Sequence, residues 1–554
     1  MRLAKLLHMK KNLNQLADSV GISFDLLEPR GHHTAKIPLS FLNSKAKQPK
    51  GKLILVTAMS PTPAGEGKTT TAIGLNDGLR FLGENSIACL RQPSLGPVFG
   101  QKGGATGGGK AQLTPAEDIN LGFTGDFSAI ESAHNLLAAL IDNHIYQGNS
   151  LQIDPNSITW RRVLDMNDRG LRSIVTGLGK SNGGARETGF DITAASEIMA
   201  ILCLSESFTD LKNRLGRMII GYSQSGTPVT ASDLNATGAM TALLRHAIKP
   251  NLVQSLEGNP VIVHGGPFAN IAHGCSSVIA TKMAMALSDY VVTECGFGAD
   301  LGAEKFLHIK CRQAGLWPDA AVCVATVRAL KYHGGVKVSD LNQENVEKLE
   351  AGLSNLKRHT DNLKRFGLPV VVSINRFPTD TDRELSLLKD RAAAWGISVV
   401  VSNPFGEGGK GCEELAKTVK QTINHLKPSV PQPLYDREMT LLEKMQKVAM
   451  TLYGAKDVAV SASAKKSVDL FQSLGFGHLP ICVAKTQYSF SSDSKKLGAP
   501  SGHTLEVQAV RLSAGAGFVV MVCGEIMLMP GLPKRPASHD IDCAPDGTAL
   551  LLRD

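Results

Sequence analysis

The chain has 554 residues, of which 43% are hydrophobic, and this length predicts two to four domains that each bury an apolar core. Its net charge of +9 comes from 59 Lys+Arg against 50 Asp+Glu without a long basic tract, so it fits anionic small molecules as well as nucleic acid. Ten cysteines occur without a C-x-x-C pair, which argues against a zinc site or a disulfide framework and favours a reducing cytoplasm. We expect neither a signal peptide nor a membrane span, because Glu525 interrupts the most apolar late stretch.

The first predicted element is a short amphipathic helix at residues 13–20, followed by a polar connection at residues 30–36. Within that connection, His32 and His33 read as solvated loop residues. Beyond residue 50, apolar strands alternate with helical stretches, and this alternation predicts an α/β protein.

A strand, a Gly/Pro-rich loop and a helix start follow one another in residues 51–74, which read GKLILVTAMSPTPAGEGKTTTAIG. The pattern is close to the phosphate-binding motif G-x-x-x-x-G-K-S/T, although a threonine takes the place of the first glycine. Gly65 and Gly67 let backbone N–H groups point inward, Lys68 can reach the outer phosphates and Thr69 can hold a metal ion. We therefore predict a phosphate loop for ATP or GTP at residues 62–70, formed by Thr62, Pro63, Ala64, Gly65, Glu66, Gly67, Lys68, Thr69 and Thr70.

Two later segments are predicted to line the same site. A second parallel strand at residues 86–90 ends at Arg91, and ligands of open α/β sheets bind at the carboxyl ends of strands. Residues 100–110 contain six glycines and two lysines and precede a helix start, which favours a mobile, anion-handling active-site loop over a flexible linker.

Two further strand ends carry candidate ligand residues. The strand at residues 289–294 ends in Glu294, which either organises a magnesium ion, as in phosphate-loop folds, or caps the strand. The strand at residues 369–374 leads into Asn375-Arg376-Phe377-Pro378, which is similar to the guanine-reading N-K-x-D except that proline replaces the aspartate. ATP is therefore favoured over GTP.

Five distinctive segments lie along nearly the whole chain, at residues 62–70, 93–109, 123–127, 264–274 and 324–335. Together they make the chain resemble the formate–tetrahydrofolate ligase family (formyltetrahydrofolate synthetases) in its single-function form. Longer members of that family carry a dehydrogenase/cyclohydrolase region ahead of the ligase. Only about fifty residues precede the phosphate-loop strand here, so that activity is not expected.

The resemblance implies that ATP, formate and tetrahydrofolate give ADP, phosphate and 10-formyltetrahydrofolate through a formyl phosphate intermediate. It implies that Lys68 stabilises the transferred phosphoryl group, that Arg91 holds formate and formyl phosphate, and that Mg²⁺ bridges the ATP oxygens near Thr69 and Glu294. The expected partners are small molecules, with neither nucleic acid nor a membrane, and the expected assembly is a homotetramer.

The resemblance also implies a pterin site formed by four residues, Phe297, Phe377, Pro378 and Phe405. Core packing is the alternative for each of these rings. Phe405 stands where the family often has tryptophan, and its place on a Gly-rich loop supports a ligand contact.

Two further departures from the family pattern lie near the site. Lys110 stands where a tyrosine closes the glycine run, and Gln92 stands where a glutamate follows the active-site arginine. The resemblance places a K⁺ or NH4⁺ site near that glutamate and the residue at Asp126. The missing carboxylate at Gln92 therefore predicts a weak response to monovalent cations.

The predicted fold class is α/β, with a P-loop NTPase-like parallel sheet and additional smaller α/β domains. The predicted division is an N-terminal helical extension at 1–50, a nucleotide and formate domain at 51–365 with an inserted segment near 150–250, and a folate-side and C-terminal region at 366–554. Two functional alternatives are an ATP-binding paralogue with altered or lost ligase activity and a P-loop ATPase switch. The switch is disfavoured because Thr62 occupies the place of its extra signature lysine.

Overall fold

The computed structural model describes residues 11–45, 50–102, 104–425 and 430–551. Within these residues, twelve strands form a central sheet that is mainly parallel. From one outer strand to the other, the order of hydrogen-bonded neighbours in the sheet is Glu28–Pro29, Ala35–Lys36, Asn251–Ser255, Pro260–Val263, Ser86–Leu90, Tyr290–Glu294, Lys52–Ala58, Ala320–Ala325, Val370–Asn375 and Ser398–Ser402. This architecture confirms the predicted α/β class with a large parallel sheet.

The strand Lys52–Ala58 shows why the apolar runs become central strands. It is buried along its length after Lys52, as expected for a parallel strand that is covered on both faces. Its alternate side chains enter two hydrophobic clusters, one on each face of the sheet. The helices that contribute to these clusters include Val278–Leu287 and Val346–Arg365 on one face, and Lys68–Phe81 and Glu413–His425 on the other.

The remaining elements pack around this sheet. A hairpin of Gly107–Gly108 and Ala111–Thr114 extends from the strand Asn251–Ser255. Further helices are Leu13–Asp18, Ser40–Lys45, Ala116–Asn120, Asp126–Tyr146, Glu197–Leu204, Phe208–Gly216, Thr237–Leu243, Val327–His333, Asp382–Ala394, Leu441–Val448 and Ala462–Ser473. Smaller ladders pair Arg162–Leu164 with Phe190–Ile192, Ile174–Thr176 with Arg186–Thr188, Ile219–Tyr222 with Pro228–Thr230, Asp457–Val460 with Thr504–Val507, Phe518–Cys523 with both Ile481–Lys485 and Ala509–Ser513, and Ile541–Cys543 with Ala549–Leu551.

The predicted and observed bounds differ by one or two residues. The helix predicted at 13–20 ends at Asp18, because the chain turns at Gly21 with a φ of 67°. The strand predicted at 369–374 runs from Val370 to Asn375, whereas the strand Ser86–Leu90 has the predicted bounds. In the polar connection, His32 is exposed and His33 is half-buried.

The predicted boundary near residue 365 lies between Ala320–Ala325 and Val370–Asn375, which are neighbours in the central sheet. The division into domains remains a prediction, and residues 1–10 and 46–49 of the predicted N-terminal extension lie outside the described residues. Among the residues that the structure describes, none of the helices combines the length and the apolar character needed to cross a membrane.

Candidate active site

The carboxyl ends of the parallel strands meet at one edge of the central sheet. Four of these strands lead directly to predicted site residues, which are the phosphate loop, Arg91, Phe297 and Phe377. A fifth strand, Ser398–Ser402, leads to Phe405. The fold thus brings the residues predicted for nucleotide, formate and folate to one edge.

The phosphate loop has the tight backbone that its glycines predict. Gly65 and Gly67 have φ values of 84° and 71°, in the left-handed region that favours glycine. A Cβ on Gly67 would also lie 2.4 Å from the side-chain Nδ2 of Asn375. The helix Lys68–Phe81 begins directly after Gly67, so its unpaired N–H groups face the loop and favour an anion.

Glu66 supports the loop from inside the protein. Its carboxylate is buried, accepts the backbone N–H of Thr62 at 2.7 Å and also accepts the hydroxyl of Thr326. Asn375 Nδ2 donates to the carbonyl of Glu66 at 3.3 Å. The loop is therefore held by residues at the ends of two other strands, and the Glu66 carboxylate is hydrogen-bonded within the protein.

Lys68 and Thr69 lie beside the end of the strand Tyr290–Glu294. Thr69 Oγ1 donates to Glu294 Oε2 at 2.8 Å, and Glu294 is only 3% exposed. Desolvation lowers the pKa of the half-buried Lys68 ammonium, and the nearby carboxylates of Glu294 and Glu66 oppose that shift. One cation, one hydroxyl and one carboxylate are thus gathered where a nucleotide's outer phosphates would lie.

The same place offers only part of a metal site. Among the described residues, no group of three or more His, Cys, Asp or Glu side chains is arranged to hold a metal ion. The hydroxyl of Thr69 and the carboxylate of Glu294 are nevertheless hard oxygen donors of the kind that Mg²⁺ prefers. Because Mg²⁺ in nucleotide sites takes most of its other ligands from phosphates and water, these two residues fit such an ion when a nucleotide is present.

Arg91 lies across the turn that follows Glu294. Its Nη1 donates weakly to the carbonyl of Pro267 at 3.4 Å, and its Nε is buried without a hydrogen-bond partner in the described part of the chain. A Cβ on Gly296 would lie 2.4 Å from Ala269 Cβ and 3.3 Å from Arg91 Nη1, so glycine is needed here chiefly because of Ala269. After desolvation, the Arg91 charge also contributes to the lowered pKa of Lys68, so the two cations are close enough to interact, and among the described residues no carboxylate forms an ion pair with Arg91.

Phe297 and Phe377 lie on turns at this edge. Phe297 is half-buried with a φ of 60°, a strained conformation for a bulky residue. Phe377 is half-buried with the exposed Pro378 beside it, and its N–H donates to Asp380 Oδ2 at 2.8 Å. The guanidinium of Arg328 lies 5.2 Å from the Phe377 ring centre, so one face of that ring is already covered.

Phe405 and the glycine-rich hairpin form one packed unit. Phe405 lies in the short helix Pro404–Glu407 with 57% of its surface exposed. Its carbonyl accepts the N–H of Lys110 at 2.9 Å, and a Cβ on Gly109 would lie 2.7 Å from its ring carbon Cγ. The hairpin carries glycine where its backbone meets this aromatic ring, and the ring itself remains open to a ligand.

The charge at Asp126 is balanced within the protein. Asp126 Oδ1 pairs with the buried ammonium of Lys36 at 2.5 Å, and Oδ2 accepts from Asn251 Nδ2 at 2.9 Å. Gln92 is buried, and neither its Oε1 nor its Nε2 has a partner among the described residues. These groups offer neutral oxygens but no free negative charge, so they fit a tightly held monovalent cation poorly.

The comparisons with known proteins decide the family. A family model described as formate–tetrahydrofolate ligase matches residues 2–552. This chain belongs to that family. Proteins named formate–tetrahydrofolate ligase are 58% identical over 97% of this chain in a Nocardioides species (96% of the relative), 56% over 98% in Methylibium petroleiphilum (98% of the relative) and 57% over 99% in Granulibacter bethesdensis (96% of the relative).

The contacts that three residues make in this formate–tetrahydrofolate ligase site could not be predicted from the sequence pattern. Lys36 lies in a segment that reads as a polar connection, yet it is fully buried against Asp126. Arg328 covers Phe377 from a helix that follows a different strand. Asn375 holds the phosphate loop from 309 residues away. Each contact depends on the assembled sheet.

Proposed function

We propose that this chain joins formate to tetrahydrofolate with ATP, giving 10-formyltetrahydrofolate, ADP and phosphate through formyl phosphate. The single observation that carries the proposal is the placement of Lys68, Thr69, Glu294 and Arg91 at one edge of the sheet, next to a glycine-bounded phosphate loop. The arrangement of strand, loop and helix also supports our assignment of a P-loop NTPase-like core.

In the first step, a formate oxygen attacks the γ-phosphorus of ATP and ADP leaves. Two unit anions about 4 Å apart repel each other by about 4 kcal/mol at an effective dielectric near 20. Lys68 and Arg91 offset this repulsion, because the ammonium meets the transferred phosphoryl group and the guanidinium meets formate. The unpartnered Nε of Arg91 supports its availability for an anion.

In the second step, N10 of tetrahydrofolate attacks the carbonyl carbon of formyl phosphate and loses its proton, and phosphate leaves with one former formate oxygen and accepts that proton. Arg91 holds the acyl phosphate in place during this attack. Water would hydrolyse the intermediate, so the site must exclude it. The hairpin at residues 107–114, packed on the Phe405 helix, is the element placed to do this.

The pterin of tetrahydrofolate stacks against the folate residues, Phe297, Phe377, Pro378 and Phe405. The 57% exposure of Phe405 supports a ligand contact over core packing. Because Arg328 covers one face of Phe377, the pterin uses the other face. Phe377 and Phe405 follow neighbouring parallel strands, which supports a shared slot.

Mg²⁺ would supply charge neutralisation between the β- and γ-phosphates, with Thr69 and Glu294 as the residues placed to hold it. A monovalent cation, K⁺ or NH4⁺, has a minor role here because Lys36 already balances Asp126. We further propose a homotetramer in the cytoplasm that acts on small molecules alone. We also propose that the chain divides into domains at residues 50 and 365, with an inserted segment near residues 150–250.

Release of ADP tests the proposed function. ADP is measured with ATP and Mg²⁺ in the presence and absence of formate and tetrahydrofolate, and the 10-formyl product is quantified in the same samples. We expect ADP and product in equal amounts only when all substrates are present. Arg91→Ala should lose formate-dependent turnover and keep ATP binding. ADP release that is independent of formate and folate would instead indicate an ATPase switch.

A further inference from the structure

A buried polar network behind the phosphate loop has no part in the proposed chemistry. Its centre is Ser60, which lies between the strand Lys52–Ala58 and the loop. The Ser60 N–H donates to Asn355 Oδ1 at 3.2 Å, and its carbonyl accepts from His333 Nε2 at 3.0 Å. Its hydroxyl lies 3.0 Å from His359 Nε2. All of these side chains are buried, so the entry to the phosphate loop is held through every polar atom of Ser60.

The hydrogen bonds have one consistent direction. Burial lowers the pKa of His359 to about 3, so the imidazole is neutral and carries a single N–H. Asn355 Nδ2 donates to Ser60 Oγ at 3.1 Å, and we assign the single O–H of Ser60 to His359 Nε2, the ring nitrogen that lies within hydrogen-bond distance of it. The N–H of His359 is then on Nδ1.

That N–H faces a carboxylate across a gap. His359 Nδ1 lies 4.0 Å from Asp300 Oδ1, and neither atom has a hydrogen-bond partner among the described residues. The other oxygen of Asp300, Oδ2, is held in place, because it accepts a hydrogen bond from the buried Lys485 Nζ at 2.7 Å. The gap is about 1 Å longer than a hydrogen bond, so a small shift would make the contact.

The carboxylate belongs to the short helical segment Ala299–Ala303, which directly follows the turn that carries Phe297. Asp300 lies three residues after Phe297, whose φ of 60° is strained. Between them, a Cβ on Gly298 would lie 2.8 Å from Asp300 Oδ1, 3.0 Å from His359 Cε1 and 3.3 Å from the carbonyl of Met59. Gly298 therefore has no room for a side chain where the turn, the histidine and the residue before Ser60 meet, and in so close an arrangement a movement of the turn is transmitted to its neighbours.

We propose that Ser60, His359 and Asp300 are positioning residues that couple nucleotide binding to folate binding. The network has two arrangements, one with the gap between His359 and Asp300 open and one with it closed to a hydrogen bond. When folate binds against Phe297, it restrains the turn, and His359 Nδ1 then donates a hydrogen bond to Asp300. Through the hydrogen bond between His359 and Ser60, this change also restrains the phosphate loop. This inference rests on the proposed function, because it takes the two sites as those of ATP and tetrahydrofolate.

The test measures the coupling itself. Mg²⁺ and ADP are titrated into the full chain with and without saturating tetrahydrofolate, and without formate, so that no turnover occurs. In the wild type, tetrahydrofolate should lower the Kd of ADP at least about fivefold, and ADP should lower the Kd of tetrahydrofolate by the same factor. In Ser60→Ala and His359→Gln the factor should fall below about twofold, since each variant breaks one link of the network.

A matched control separates coupling from structure. Asn362→Leu lies on the same helix and removes a buried hydrogen bond to the carbonyl of Leu452, without contact to Ser60 or Asp300. It should keep the full coupling factor even if its Tm falls. Independent binding in the wild type, or full coupling in both network variants, would overturn the inference and leave the proposed function intact. Failure of the wild type to bind either ligand would overturn both.

Discussion

The Lys68 ammonium is half-buried at the first residue of the phosphate-loop helix, beside the carboxylate of Glu294. Lys68→Ala removes the cation that meets the transferred phosphoryl group, and ADP formation should fall about 100- to 1,000-fold. Lys52→Ala is the control, since Lys52 begins the strand Lys52–Ala58, at the end away from the phosphate loop, and pairs with Asp319. Steady-state ADP release at saturating substrates checks the prediction. Near wild-type turnover in Lys68→Ala would show that the phosphate-loop assignment is wrong.

Phe405 exposes 57% of its surface beside the glycine-rich hairpin, and the proposed function assigns its ring to the pterin of tetrahydrofolate. Phe405→Ala should raise the KM for tetrahydrofolate and leave the KM for ATP and the Tm unchanged, with about 0.5–1.5 kcal/mol of stacking at stake. Phe81→Ala is a matched control, because Phe81 is also 57% exposed and ends the phosphate-loop helix. An unchanged folate KM together with a lowered Tm would make Phe405 a packing residue.

The helix Lys68–Phe81 packs closely on the segment that carries Phe405, and a buried carboxylate lies in their contact. Asp77 accepts from Ser255 Oγ at 2.7 Å, while burial and the nearby Glu257 raise its pKa to about 7. A carboxyl with a raised pKa in the folded state favours folding at low pH. That contribution is lost as pH rises from the ordinary value of 3.8 to about 7, a change of up to about 4 kcal/mol.

Asp77→Asn should remove this pH dependence, because the amide keeps an oxygen for Ser255 and carries no charge. Between pH 4 and pH 8, the Tm of the wild type should fall relative to that of the variant. Asp382→Asn is the control, since its side chain is 99% exposed. Scanning calorimetry across the pH range measures the effect, and parallel Tm curves for wild type and Asp77→Asn would contradict it.

The connection from Asp126 to Lys36 joins the helix Asp126–Tyr146 to the strand Ala35–Lys36, which is the second strand from one edge of the sheet. Because this lysine balances the carboxylate and Gln92 is neutral, the wild type should respond weakly to K⁺, and Gln92→Glu should respond more strongly. Activity is titrated against KCl, with tetramethylammonium chloride keeping the ionic strength constant. Gln147→Glu, at an exposed position, controls for added charge. Strong activation of the wild type, or no gain in Gln92→Glu, would refute the role of position 92.

At the scale of the whole molecule, local patterns predicted the parts of the site that lie within one strand, loop and helix. Gly65 and Gly67 adopt the left-handed backbone that their spacing requires, and Ser86–Leu90 is a continuous apolar run that becomes a buried strand. Contacts between distant segments carry no such pattern. The pair of Lys36 and Asp126 spans 90 residues, and the bond from Asn375 to Glu66 spans 309, so both depend on the order of strands in the sheet.

The central claim is that ligation passes through formyl phosphate at this edge of the sheet, and isotope transfer tests it most directly. Formate labelled with ¹⁸O is converted with unlabelled ATP and tetrahydrofolate, and the released phosphate is analysed by mass spectrometry. The formate oxygen that attacks phosphorus leaves with phosphate when N10 takes the formyl group. We predict one ¹⁸O per phosphate for each 10-formyltetrahydrofolate formed. Unlabelled phosphate from labelled formate would contradict the account.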